Sequence, residues 1–145
     1  MTSPLLDKLV QTGKLKSQPP NRAEFESLLQ LSRTLLATVT DNEAMATESQ
    51  FVLAYDAAHA ASRAALRAYG YRSDDRYLVF QCLEHTVGWP AAKWRILDTC
   101  HRRRNAAENE GNVDLPASLT AELVKLTAEL IDTASGLAAK LPAIN

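Results

Sequence analysis

Apolar side chains recur at three- and four-residue spacing along almost the whole chain, and no stretch alternates convincingly with the period of two that a half-buried strand requires. Ser3-Pro4 reads as an N-cap and first helical position, with Leu5, Leu6, Leu9 and Val10 following on one face and Gly13 closing a short helix. Pro19-Pro20 breaks the chain. Asn21 then caps a second helix with Glu24 three residues on, and Phe25, Leu28, Leu29, Ser32, Leu35, Leu36 and Val39 form its inner stripe. After a polar connection over 40–46, a third helix is predicted from about Thr47 to Tyr69, ending at Gly70. Its apolar face is Phe51, Ala54, Tyr55, Ala58, Ala61, Ala65, Leu66 and Tyr69, and its other face carries Asp56, His59, Arg63 and Arg67.

A fourth helix is expected from about Arg76 to Val87, stopped by Gly88-Trp89-Pro90, and a fifth from about Pro90 to Glu108. A loop over 111–116 leads to a last helix, about Ala117 to Lys140, that buries Leu119, Leu123, Leu126, Leu130, Ile131 and Leu137 before Pro142. Short links between amphipathic helices predict one all-α domain over 1–145, an antiparallel bundle of five to six helices without a sheet. Residues 1–20 form its short first helix and linker.

Composition fits this picture. Apolar residues are 46% and charged residues 23%, with only 5 glycines and 6 prolines. No apolar run approaches the ~20 residues that span a bilayer, and the first ten residues lack the basic start and long apolar run of a secretory signal. Cys82 and Cys100 form no CxxC pair and read as reduced, buried side chains, so the expected compartment is the cytoplasm. The net charge of −1 excludes a bulk polyanion binder. It is unevenly spread, however: residues 60–105 carry nine Lys and Arg against four Asp and Glu, which leaves room for one local basic surface.

The segment His101-Arg102-Arg103-Arg104-Asn105-Ala106-Ala107-Glu108-Asn109 stands out. Helical spacing places His101, Arg104, Asn105 and Glu108 on one face. Arginine can hold a phosphate through two parallel hydrogen bonds, histidine can move a proton near neutral pH, and an amide or carboxylate can orient either. The same segment also reads as a solvated basic turn near a helix end. The stripe of Asp56, His59, Arg63 and Arg67 either faces that segment across a groove or forms the wet side of its helix. His85, beside Glu84, reads as a surface or capping histidine, and Trp89 and Trp94 as packing residues. No HExxH, CxxC, phosphate-binding glycine loop or GxSxG elbow occurs, so neither a metal nor a cofactor is expected.

Three segments resemble the prokaryotic HEPN family. They are Gly13-Lys14-Leu15-Lys16 with Pro19-Pro20 and the helix from Asn21 to Val39; Ala54-Tyr55-Asp56-Ala57-Ala58 continuing to Ala68-Tyr69-Gly70-Tyr71-Arg72; and Arg102-Arg103-Arg104-Asn105-Ala106-Ala107-Glu108. Together they cover most of residues 5–110 in the family's order. The resemblance implies a helical bundle that dimerises and associates with RNA or nucleotides. For many members it implies metal-independent ribonuclease activity, or the toxin half of a toxin–antitoxin pair, with a nucleotidyltransferase-type antitoxin as a possible partner.

The family signature is an arginine, a polar residue and then a histidine, with tyrosine often replacing the histidine in the branch most similar to this chain. Arg104-Asn105 matches its start, and the last position falls on Asn109, which is neither. An amide has no pKa near 7 and cannot act as acid or base. The candidate catalytic set is therefore Arg104, Asn105 and His101, the last as the nearest proton-transfer group. Arg102, Arg103, Asn109, Asp56 and Glu108 form the candidate substrate-binding set, and Asp56 is expected to help position Arg104. A rival expectation from a different class is a non-catalytic helical module that dimerises and holds a protein partner such as a small nucleotidyltransferase.

Overall fold

A computed structural model describes residues 3–111 and 115–142, with the side chain of Glu110 outside the described set. Among the described residues the chain forms α1 (Pro4–Gln11), β1 (Lys16–Ser17), α2 (Arg22–Thr40), α3 (Thr47–Tyr69), β2 (Tyr71–Arg72), α4 (Arg76–Gln81), α5 (Leu83–Thr86), α6 (Ala91–Glu110) and α7 (Ala117–Ser135), the last running into a 3-10 turn over Gly136–Lys140. The architecture is the expected all-α bundle.

α3 is its axle. It packs against α2 and α7 along its length and against α4, α5 and α6 on another side. A helix with neighbours on several sides needs small residues, and Ala54, Ala57, Ala58, Ala60, Ala61, Ala64, Ala65 and Ala68 are all buried. Phe25, Leu28, Leu29 and Leu36 of α2 close one side of this core, and Leu123, Leu126, Leu130 and Ile131 of α7 another. Polar groups inside it are paired: Ser32 Oγ donates to the Ala57 carbonyl at 2.6 Å, and Thr127 Oγ1 to the Leu123 carbonyl at 2.7 Å.

Local chemistry sets the helix ends. Ser3, Asn21 and Asp75 each accept a hydrogen bond from a backbone N–H in the first turn of α1, α2 and α4. α3 ends on Gly70 at φ +89°, where a β-carbon would lie 3.4 Å from both the Gln18 carbonyl oxygen and Pro20. That close approach lets the segment before α2 lie against the end of α3. Here the structure departs from the expectation of no sheet: β1 and β2 pair antiparallel, Lys16 with Arg72 and Ser17 with Tyr71.

Arg67 differs more sharply from its place on a supposedly wet or groove-facing stripe. It is 2% exposed, donates to the carbonyls of Gln18, Pro19 and Tyr71, and pairs with Glu24 at 3.3 Å. The linker before α2 supplies carbonyls that no helical partner uses, and a guanidinium satisfies several at once. The predicted fourth helix is divided at Cys82 into α4 and α5. Arg22 ties the other end of the chain down by donating to the carbonyls of Ala138, Leu141 and Pro142 at 2.7–2.8 Å.

Candidate functional site

The basic segment of α6 lies beside Tyr55 of α3 and Arg76 of α4. Tyr55 is fully buried. Its ring stacks on Phe51 one turn before it, with centroids 6.5 Å apart, and meets the edge of Phe80 at 5.7 Å. From α6 the His101 imidazole lies nearly parallel to the same ring, and its Nδ1 is 2.8 Å from the Tyr55 hydroxyl. One turn on, Asn105 Nδ2 is 3.2 Å from His101 Nε2. A neutral imidazole has one donor and one acceptor nitrogen. With the Asn105 amide assigned this orientation, Nε2 accepts and Nδ1–H donates to Tyr55. Both ring nitrogens are then engaged.

Two guanidinium groups lie over the Tyr55 ring, Arg104 at 5.0 Å and Arg76 at 5.5 Å from its centroid. Arg104 is largely covered, its side chain 17% exposed, and pairs with Glu108 at 3.0 Å. Arg76 is paired with Asp56 at 3.6 Å. Arg104 Nε is buried without a hydrogen-bond partner, and Arg76 Nη1, the nitrogen that faces Asp56, makes no contact as short as a hydrogen bond.

His59, one turn after Tyr55 on α3, meets the edge of Phe80 at 6.0 Å. Burial, reinforced by Arg76, Arg63 and Arg104, pushes its pKa down to about 3, so the imidazole is neutral at neutral pH. His101 is lowered too, chiefly by burial, with Asp98 opposing and Arg76 adding to the fall. Burial raises Tyr55 by more than Arg76 and Arg104 lower it. The arrangement is a cationic surface backed by neutral proton carriers.

The expected residues divide as follows. His101, Arg104, Asn105 and Glu108 share a face as their spacing predicts, but as two pairs bridged by Tyr55. Asp56, expected beside Arg104, is paired with Arg76. Arg102 points to solvent, 71% exposed, and pairs with Asp98 at 3.1 Å. Arg103 is half-buried, and Asn109 is exposed. Trp89 and Trp94 are buried, and His85 lies 3.8 Å from Glu84.

The sequence does not reveal that Tyr55, which reads as one more core residue of α3, and Arg76, which reads only as the start of a helix, lie at the candidate site. A hydroxyl on an otherwise alanine-rich stripe was the available signal for the first. A surface concavity of about 440 Å³, lined by Lys14, Lys16, Arg72 and Tyr77 among others, contains none of the expected site residues. Its arginine is also committed, since Arg72 bonds Gln18 and Glu24. The candidate residues gather instead where α3, α4 and α6 meet. Among the described residues no three His, Cys, Asp or Glu side chains gather as metal ligands, and no helix is long and apolar enough to cross a membrane.

Comparison with protein-family models, curated proteins and solved structures gives no match to this chain.

Proposed function

We propose that this chain is a HEPN-like protein that binds RNA or nucleotides through their phosphates, acting as a homodimer in a toxin–antitoxin or defence system. The observation that carries the reading is Arg104, a guanidinium held over the buried Tyr55 ring beside His101, with its Nε unpartnered. Such a fixed, weakly hydrated cation suits phosphate oxygens. A nucleotidyltransferase-type antitoxin is the partner class that goes with this reading.

Two observations favour binding without cleavage. Both nitrogens of His101 are engaged, by Tyr55 and Asn105, and the position where the family carries its histidine is the exposed amide of Asn109. The test is an RNA-binding titration of the wild type and Arg104→Ala across a salt series. Binding that weakens with salt, and weakens again on removal of Arg104, supports the reading, because each lost phosphate contact lowers the salt slope. Equal affinity of the two proteins at every salt concentration takes Arg104 out of the site. Light scattering that shows only monomer at micromolar concentration removes the dimer.

A further inference from the structure

Arg76 lies outside the α6 segment, yet it shares the Tyr55 ring with Arg104. Its guanidinium carbon is 5.5 Å from the ring centroid and that of Arg104 is 5.0 Å, so both charges border the same ring, and both act on His59. Each has one carboxylate neighbour, Asp56 for Arg76 and Glu108 for Arg104; Arg104 Nε has no hydrogen-bond partner, and Arg76 Nη1 has only its ion pair with Asp56 at 3.6 Å, longer than a hydrogen bond. Buried charged donors are rarely left unsatisfied in a folded protein. One unpaired and one weakly paired guanidinium nitrogen around the same ring leave donors for an anion's oxygens.

The surroundings narrow the anion's chemistry. Its acceptors must serve guanidinium groups on two different helices, which suits a group with several oxygens better than a single planar carboxylate. Arg63 adds a third positive charge close enough to depress His59, and His59 and His101 are neutral imidazoles that an arriving anion would favour in protonated form.

We infer that Arg76 and Arg104 together hold one phosphate group between α4 and α6, over the shared ring of Tyr55. This deepens the function proposed above by assigning a second guanidinium to the phosphate, and it rests on that reading only for the RNA arm of the test.

The test compares wild type, Arg76→Gln, Arg76→Lys, Arg104→Gln and the double Gln variant. Circular dichroism of each checks the fold. Inorganic pyrophosphate is titrated calorimetrically and a single-stranded RNA oligomer by fluorescence anisotropy. Each single Gln variant is expected to weaken pyrophosphate binding about tenfold or more, as loss of a charge-assisted hydrogen bond does. Arg76→Lys recovers part of the loss, because it restores charge without the fork. The double variant loses less than the product of the single effects, because both residues serve one group.

Wild-type pyrophosphate affinity in Arg76→Gln, or no uptake by the wild type, overturns the clamp. RNA binding that depends on Arg104 but not on Arg76 also overturns it and leaves the RNA-binding reading standing. Pyrophosphate held through both arginines with no RNA bound supports the clamp and removes the RNA reading.

Discussion

The hydroxyl of Tyr55 and the Nδ1 of His101 lie 2.8 Å apart, joining the middle of α3 to the basic turn of α6. Tyr55→Phe removes this bond without changing the shape of the core and leaves a partly buried imidazole nitrogen unpaired. The expected cost is about 1–3 kcal/mol, read as a fall of several degrees in Tm. An unchanged melting temperature would show that the contact contributes nothing to holding α6 against α3.

Stability should decline as the solution is acidified through the histidine range. His59 has a folded pKa of about 3 against an ordinary value of 6.5. Between those values the unfolded chain binds a proton that the folded chain does not, so stability falls as pH drops from about 6.5 towards 3. His101, also lowered, acts in the same direction. Urea titrations at pH 7 and pH 4.5 should show a smaller loss for His59→Gln than for wild type. Identical losses would remove His59 as a contributor.

Arg67 offers a test of the chain's N-terminal attachment. Replacing it with Met keeps volume but deprives the carbonyls of Gln18, Pro19 and Tyr71 of their shared donor and leaves Glu24 with Arg72 as its remaining partner. Glu24 is part-exposed and keeps Arg72, so the expected cost is about 1–3 kcal/mol, chiefly from the carbonyls left unsatisfied. Limited proteolysis should then cut within 12–20 far sooner than in wild type. Wild-type resistance together with a wild-type Tm would contradict this role.

Variants at His101 and Asn109 test the proposed chemistry. If the protein cleaves RNA without added metal, His101→Ala should lower the rate by ~10²–10⁴ while Arg104-dependent binding persists. Asn109→His, which supplies the histidine of the HEPN signature that the segment resembles, should raise cleavage if the proposed reading holds. No cleavage by wild type or by Asn109→His would leave a binding module as the function.

What the sequence reveals follows the range of the forces involved. The helices and the caps at Ser3 and Asn21 are legible because apolar period and capping act within one or two turns. The break between α4 and α5 is not, since Leu78, Val79, Phe80, Cys82 and Leu83 continue one apolar run through it. β1 and β2 are two residues each, too short for alternation to register. The burial of Arg67 comes from a linker some 50 residues away, which no helical projection of α3 contains. The pairs Arg104–Glu108 and His101–Asn105 were readable because both are one helical turn apart. Tyr55 and Arg76 were not readable as site residues, because only the packing of α3, α4 and α6 brings them to that turn.

α4 is six residues long, far below the ~12–15 at which a helix is even marginal alone in water. Its order is borrowed through Leu78, Val79 and Phe80, which are buried against its neighbours. Arg76 thus stands on an element expected to open more cheaply than the α2–α3–α7 body carrying Tyr55. One wall of the candidate site is consequently set by a local equilibrium, and the site's occupancy and the closed state of α4 reinforce each other. Amide exchange in 76–81 would slow when an anion bridges α4 to α6, while exchange in the central helix would hardly change.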